Sequence, residues 1–505
     1  MYLRNYLIAL ASLGLSVLMT PLIRFLPAIA QENQINIPRN SDYAVEKIKI
    51  KQLLVEAEKL MQSPDNFFLG LSKYLKGLVF YHLIGEKKGQ EIAGQRLEQI
   101  LLENEPLLSE KRQAMQQSRL EFLKQFSSVA KDNQTARELK KLVTDKFRKD
   151  FEKLSDSLSY LDEQIINPTD QLEPLPKKLQ SFLDKNQTTI TAIRNLILSS
   201  EPLQWQFTPD FWDFDQPIPN HWYLVYVQKI LLLDAIAQSA KGNQQIVLDN
   251  LEVAWRINQS FQNSPLYYTQ LLNLMGIKYQ MGVLRKLGDL PTIWQERLSN
   301  HDYRQSIFIA LEGDAYARFN YWTNTTPEKI DLLWETEGIA DFLSLAGWDN
   351  WSENSRNNIL LWFGVGATEY ELLAYEALKQ ANVCQFQSVE FLKEQPINKI
   401  EFIYTESLTN LWQKASATMV DAELTQQILQ ARAIASAGEE LTNNPVTSSI
   451  CPGHNWVYEQ KPGKFTIKMQ PEPLEWPQKT LEGQKNHVLP LEFTGSLSKL
   501  PQIQQ

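Results

Sequence analysis

The chain has 505 residues, 43% of them hydrophobic and 22% charged, the composition of an ordinary globular protein rather than a disordered one, and long enough for two or more domains with sizeable cores. A formal net charge of −9, with no polybasic tract to offset it, excludes nucleic acid as an expected partner.

The N-terminus carries a targeting pattern. Arg4 supplies a positive start, Leu7 to Ile23 an apolar run, and Ala28-Ile29-Ala30 a small-x-small cleavage site before Gln31. These features predict a signal peptide over residues 1–30, cleaved following Ala30, and export to the periplasm or another extracytoplasmic compartment. The alternative is an uncleaved N-terminal helix acting as an anchor, because the run only just reaches the roughly 17-residue minimum for a membrane span. No Cys follows the run, so lipid attachment is not offered there.

Residues 31–40 read as a disordered lead-in. The fold class is all-α: an N-terminal helical bundle over 41–170, then an irregular α-hairpin array over 171–445. Three short helices open the bundle, broken at Ser63-Pro64, at Gly85 and near Pro106. From Leu107 to Ile166 a stripe of Val143, Phe147, Phe151, Leu154, Leu158, Leu161 and Ile165 predicts a long coiled-coil-like hairpin. Its polar faces bear Lys140, Lys141, Lys146, Arg148, Lys149 and Lys153 mixed with Asp145, Asp150 and Glu152. Two readings of that surface stand: a solvated helix face, or peripheral contact with anionic lipid.

Pro168, Pro174 and Pro176 punctuate the connection to the array. Helices are expected over 177–198, 221–240, 244–261 and on to Leu287, with 221–240 apolar on more than one face. Further helical patterns cover 303–322, 327–346, 355–383 and 399–441. Asp314 and Arg318, four apart, read as a surface helix pair. A β-hairpin within 446–470, docked on the array, follows from alternating strands around Lys461-Pro462-Gly463, and 471–505 reads as a loosely ordered tail.

Export makes the two cysteines, Cys384 and Cys451, a permitted disulfide. The rival use of Cys451-Pro-Gly-His454 as a metal site lacks a second ligand pair, so neither metal nor cofactor is expected.

Chemistry is concentrated in Leu203 to Tyr223, where aromatic rings alternate with Asp210, Asp213 and Asp215 and three prolines forbid a regular helix. Asp213 and Asp215 are the candidate catalytic residues, as general acid or base, and Trp205, Trp212, Trp222 and His221 the candidate binding residues. The opposing interpretation is packing, in which the rings fill helix grooves and the acids cap turns. No phosphate-binding loop, zinc-protease motif or nucleophile elbow occurs in the sequence. The expected role is a non-enzymatic binding or scaffold protein of the cell envelope, with another envelope protein or a glycan as partner. One alternative is a glycan- or cell-wall-active helical hydrolase or lyase using Asp/Glu chemistry. The other is a membrane-peripheral protein using the basic face.

Overall fold

A computed structural model describes residues 44–126, 129, 131–207, 221–288, 290–326, 346–380, 382–384, 405–441, 444–471 and 491–496 of the chain. Helix α1 (Ala44–Met61) buries Ile50, Leu54, Ala57 and Met61, one stripe at three- and four-residue spacing. It packs antiparallel on α2 (Phe67–Leu83), which is apolar nearly all round and buried accordingly. Gly70 permits the close approach, since a Cβ there would lie 2.6 Å from the Ala57 carbonyl oxygen. Helices α3 (Lys87–Glu103) and α4 (Glu105–Leu123) complete this part.

The expected long hairpin is not formed; its sequence is divided among α4, α5 (Gln134–Leu142), α6 (Asp145–Glu152) and α7 (Ser155–Ile166). Two side-chain caps restart the helix. Asn133 Oδ1 accepts Ala136 N at 3.0 Å, and Thr144 Oγ1 accepts Phe147 N at 3.2 Å. Phe147, Phe151, Leu161 and Ile165 are still buried, but against later helices. Phe147 and Phe151 meet Phe182 of α8 (Lys177–Ser199), with centroids 5.7 and 5.4 Å away.

The array continues with α9 (Trp222–Ala240), α10 (Gln244–Gln259), α11 (Tyr267–Lys286), α12 (Ile293–Asn300), α13 (Tyr303–Asn324), α14 (Glu353–Gln380) and α15 (Thr405–Ser436). Helix α9 is buried on several sides, as its continuous apolar run requires. The helix expected over 327–346 lies almost wholly outside the described residues. Buried apolar side chains from Ile50 to Phe493 form one cluster, which spans the Pro-punctuated connection near residue 170.

The C-terminal hairpin is the middle of a four-stranded antiparallel sheet, ordered β1 (Val446–Thr447), β2 (Asn455–Lys461), β3 (Lys464–Gln470) and β4 (Glu492–Ser496). The register is set by Lys461 opposite Lys464, and Gly463 supplies the positive φ of 73° that the turn needs. Strand β4 corrects the expectation of a loose tail: residues 492–496 pair along β3, with Phe493 opposite Ile467. Its outer edge is closed by the connection from α7, where Thr494 N donates to Pro168 O at 2.8 Å and Ser496 N to Asp170 Oδ2 at 2.6 Å.

The inner face of the sheet docks on α15. Trp456 Nε1 donates to Glu423 Oε2 at 2.9 Å and the Tyr458 hydroxyl to Gln427. Glu423 also accepts from Ser448 Oγ and from Ser449 N and Oγ, so this buried carboxylate is fully employed as an anchor. The Cys384–Cys451 disulfide fastens the same junction, with Cα atoms 5.3 Å apart. It closes a loop with a sequence separation of 67, for which chain entropy gives about 4 kcal/mol. Replacing both cysteines by serine is therefore expected to lower the unfolding free energy by about that amount, read from urea midpoints; a change under about 1 kcal/mol would show that the sheet is held by packing alone.

Candidate functional site

The aromatic stretch enters the described structure at its two ends, and both meet the C-terminal end of α10. Residues 202–207 run beside 129 and 131–133: Val129 N donates to Phe207 O at 2.7 Å, and Asn133 N to Gln204 O at 3.1 Å. Gln206 N donates to Asp132 Oδ1 at 2.7 Å, and Lys140 pairs with the other oxygen of that carboxylate. Burial alone would raise the Asp132 pKa; the Lys140 ammonium and the Gln206 amide instead hold it below the ordinary range.

This arrangement seats Trp205 in the interior. Its indole nitrogen donates to Ser260 Oγ at 2.8 Å, and its ring lies 4.9 Å from His221 and 5.9 Å from Phe261, centroid to centroid. His221 is 3% exposed, and neither ring nitrogen has a hydrogen-bond partner; the buried Tyr223 hydroxyl also lacks one. Burial, and then the Lys140 charge, push the imidazole down to about 4 against the opposing pull of Asp132. Trp222 is half-buried, donating to the Tyr226 hydroxyl at 3.0 Å. Trp212, Asp213 and Asp215 lie outside the described residues. Of the four expected binding residues, Trp205 and His221 thus come together in the interior, and Trp222 turns to its own helix.

A second imidazole occupies the same end of α10. Gln259 Nε2 lies 3.2 Å from His301 Nδ1 and donates to it, while the His301 Nε2 is buried without a partner. Trp255 and Tyr303 flank the ring, at 5.8 and 4.2 Å. Burial lowers this pKa also to about 4, with Asp302 opposing. Asp132 and His301 carried no signal in the sequence, since each enters its group across a long chain separation.

The expected Asp314–Arg318 helix pair forms, half-buried, and it has a third member. Arg318 Nη2 lies 2.8 Å from Asp314 Oδ2 and 2.8 Å from Glu371 Oε2 on α14, joining two helices. Burial pushes Glu371 up to about 7; Asp314 adds to the rise and the guanidinium opposes it. Because the guanidinium fills the space between the carboxylates, the cluster is a strut rather than an open acid-base pair. Lys379 likewise joins Glu312 and Glu376.

Three basic side chains bind the connection, the array and the sheet together. Arg285 Nη1 reaches Asp421 Oδ1 at 2.5 Å and Thr425 Oγ1 at 2.9 Å, and its Nη2 donates to Ile165 O at 3.2 Å. Lys286 Nζ donates to Asn167 O at 2.9 Å and to Thr169 O. Arg432 donates to the carbonyls of Leu287 and Arg285 at 2.7 Å each and lies 3.7 Å from Asp170.

The metal reading of Cys451 and His454 gives way to the disulfide, and His454 Nδ1 donates to Pro471 O at 2.6 Å. On the expected basic face, half of the charges are matched: Lys140 by Asp132, Arg148 by Asp145 and Glu152, and Lys153 by Asp150. Lys141, Lys146 and Lys149 are exposed. An open hollow on the sheet, lined by Val457, Lys468, Pro471 and Leu491 among others, lies apart from His221, His301 and the Arg285 and Arg318 clusters, and its lysine is paired with Glu459.

Among the described residues no helix is long and apolar enough to cross a membrane. No family model, no curated protein and no solved structure matches the chain.

Proposed function

We propose that the chain is an exported, non-enzymatic helical scaffold of the cell envelope whose interior is cross-tied so that its outer surface is presented as one rigid body. The observation that supports this is how the interior charges are employed. Arg285, Lys286, Arg432 and Arg318 each join residues distant in sequence, and their partners are carboxylates, main-chain carbonyls and the Thr425 hydroxyl. The disulfide and Glu423 extend the same bracing to the sheet. Rigid surfaces reduce the ordering cost of association, which suits a binding scaffold.

Purified protein is to be incubated with isolated cell-wall sacculi and with soluble polysaccharides, following both sedimentation and release of soluble fragments. Binding without turnover supports the scaffold. Turnover that is lost in Asp213→Asn or Asp215→Asn overturns it in favour of a glycan-active enzyme, and absence of binding to any envelope component also overturns it. Intact mass of the exported protein tests the expected processing, with Gln31 as first residue.

A further inference from the structure

The first described helix leaves a face uncovered. Val45, Ile48 and Val55 of α1 are 58%, 57% and 68% exposed, and at 3.6 residues per turn they share an arc of about 80°. That arc is separate from the stripe of Ile50, Leu54, Ala57 and Met61 that faces the core. Helix α3 runs alongside, because Lys47 pairs with Glu86 and Arg96 Nη2 lies 3.4 Å from Glu58. Ile92, between those two ties, is 58% exposed. With Leu102 near the end of α3, five of the nine exposed large hydrophobic side chains among the described residues belong to these two neighbouring helices. Single exposed aliphatics are ordinary on protein surfaces; a row of them is not.

The surroundings of the row indicate what covers it. The same helical period places exposed Gln52 within the arc, exposed Lys49 and Lys51 on its two borders and exposed Lys59 within it at its C-terminal end. Glu56, 3.8 Å from Lys73, is the acid nearest to it. Lysines beside an aliphatic row can lay their methylene stems along an apolar phase and hold their ammonium groups at its charged boundary. Protein interfaces, by contrast, are depleted in lysine. The apolar run Leu7 to Ile23 precedes α1 by about 20 residues, a connection that reaches at most about 70 Å when extended. A retained run would thus keep α1 within reach of the bilayer, and a cleaved one would leave α1 as the first described helix, about 14 residues from the new terminus.

We infer that α1 is a membrane-docking element that lies on a phospholipid surface, with Val45, Ile48 and Val55 at the headgroup–acyl boundary and Lys49, Lys51 and Lys59 on anionic headgroups. The surface differs from the 140–153 face, half of whose charges are already matched, and the inference does not rest on the scaffold reading.

Hydrogen exchange of the segment 44–61 in the full chain tests it, measured with and without vesicles of phosphatidylcholine alone or with one-third phosphatidylglycerol. Exchange should slow on the anionic vesicles, and Val45→Asn/Ile48→Asn/Val55→Asn should restore the vesicle-free rate while leaving the circular dichroism unchanged. Lys49→Glu/Lys51→Glu/Lys59→Glu should weaken partition to anionic vesicles by at least about tenfold, since each surface lysine contributes about fivefold. Because the readout is local, it holds whether or not the apolar run is retained. Three results overturn the inference: exchange unchanged by vesicles; protection without lipid that grows with protein concentration, which assigns the face to a second copy; and concentration-independent protection without lipid, which assigns it to the chain's own remaining residues.

Discussion

Acidification from pH 7 to about 4 should cost the folded state about 3 kcal/mol for each of His221 and His301. Each imidazole titrates at about 4 in the folded protein against an ordinary 6.5, because burial disfavours its charged form. Between those values the unfolded chain binds more protons than the folded one at these two sites, so their contribution to stability rises with pH through the window and is lost on descending it. Both rings are deeply buried, with neither nitrogen of His221 and only Nδ1 of His301 partnered, so little solvent screening applies. Glu371 acts in the opposite direction. Its folded pKa of about 7 lies above the ordinary 4.5, so the fold holds an extra proton there and that contribution grows as pH falls.

The test is a set of urea midpoints at about pH 7 and 4.5. His221→Gln/His301→Gln should flatten the acid loss relative to wild type, and Glu371→Gln should steepen it. A double variant whose acid loss equals that of wild type would place the acid-sensitive groups elsewhere. The location is also defined: His301 packs on the last turn of α10 and His221 on Phe261 just beyond it, so acid should first increase hydrogen exchange in 202–207 and 255–261.

The parts that could be read from the sequence are those in which one local pattern has one physical solution. Helix α9 is continuously apolar from Leu224 to Leu233 apart from Gln228 and Lys229, and such a run can only be buried. Cys384 and Cys451 admit a single pairing. The errors arise where a local pattern competes with another. The stripe from Val143 to Ile165 keeps helical spacing through Thr144, but that hydroxyl serves better as a cap than as a helix-interior group, and the helix restarts there. Strand β4 has only five residues, with Phe493 as its one large buried side chain, and its pairing is completed by Pro168 and Asp170, more than three hundred positions upstream. The candidate site shows the same limit. Trp205 and His221 were visible as residue types, whereas the groups that decide their chemistry, Asp132, Ser260 and Phe261, come from other elements. Asp314 and Arg318 looked like a solvated pair until Glu371 of α14 joined them.

Removal of one side chain, Arg285, is expected to have the largest effect on stability of any single substitution, about 3–5 kcal/mol for Arg285→Met. Its guanidinium is buried against Asp421, whose second carboxylate oxygen has no partner. The substitution removes the charge facing Asp421, leaves Ile165 O without its donor, and frees Thr425 Oγ1 from one contact. It therefore loosens the connection through which Asp170 closes the edge of β4. Methionine fills most of the vacated volume, so the cost is electrostatic rather than a cavity. Two companion measurements separate these causes. Arg285→Met/Asp421→Leu should recover at least about 2 kcal/mol of the loss, because no unpaired carboxylate remains. Lowering the pH should help Arg285→Met alone: Asp421 already titrates above its ordinary range through burial, with Arg285 and Lys278 opposing, and loss of the guanidinium raises it further. A folded pKa above the unfolded one means stability gained as pH falls, so the deficit of Arg285→Met should narrow between about pH 7 and 5 while wild type weakens through its imidazoles. A deficit that is independent of pH and unrelieved by Asp421→Leu would assign the role of Arg285 to the carbonyl of Ile165 rather than to the buried ion pair.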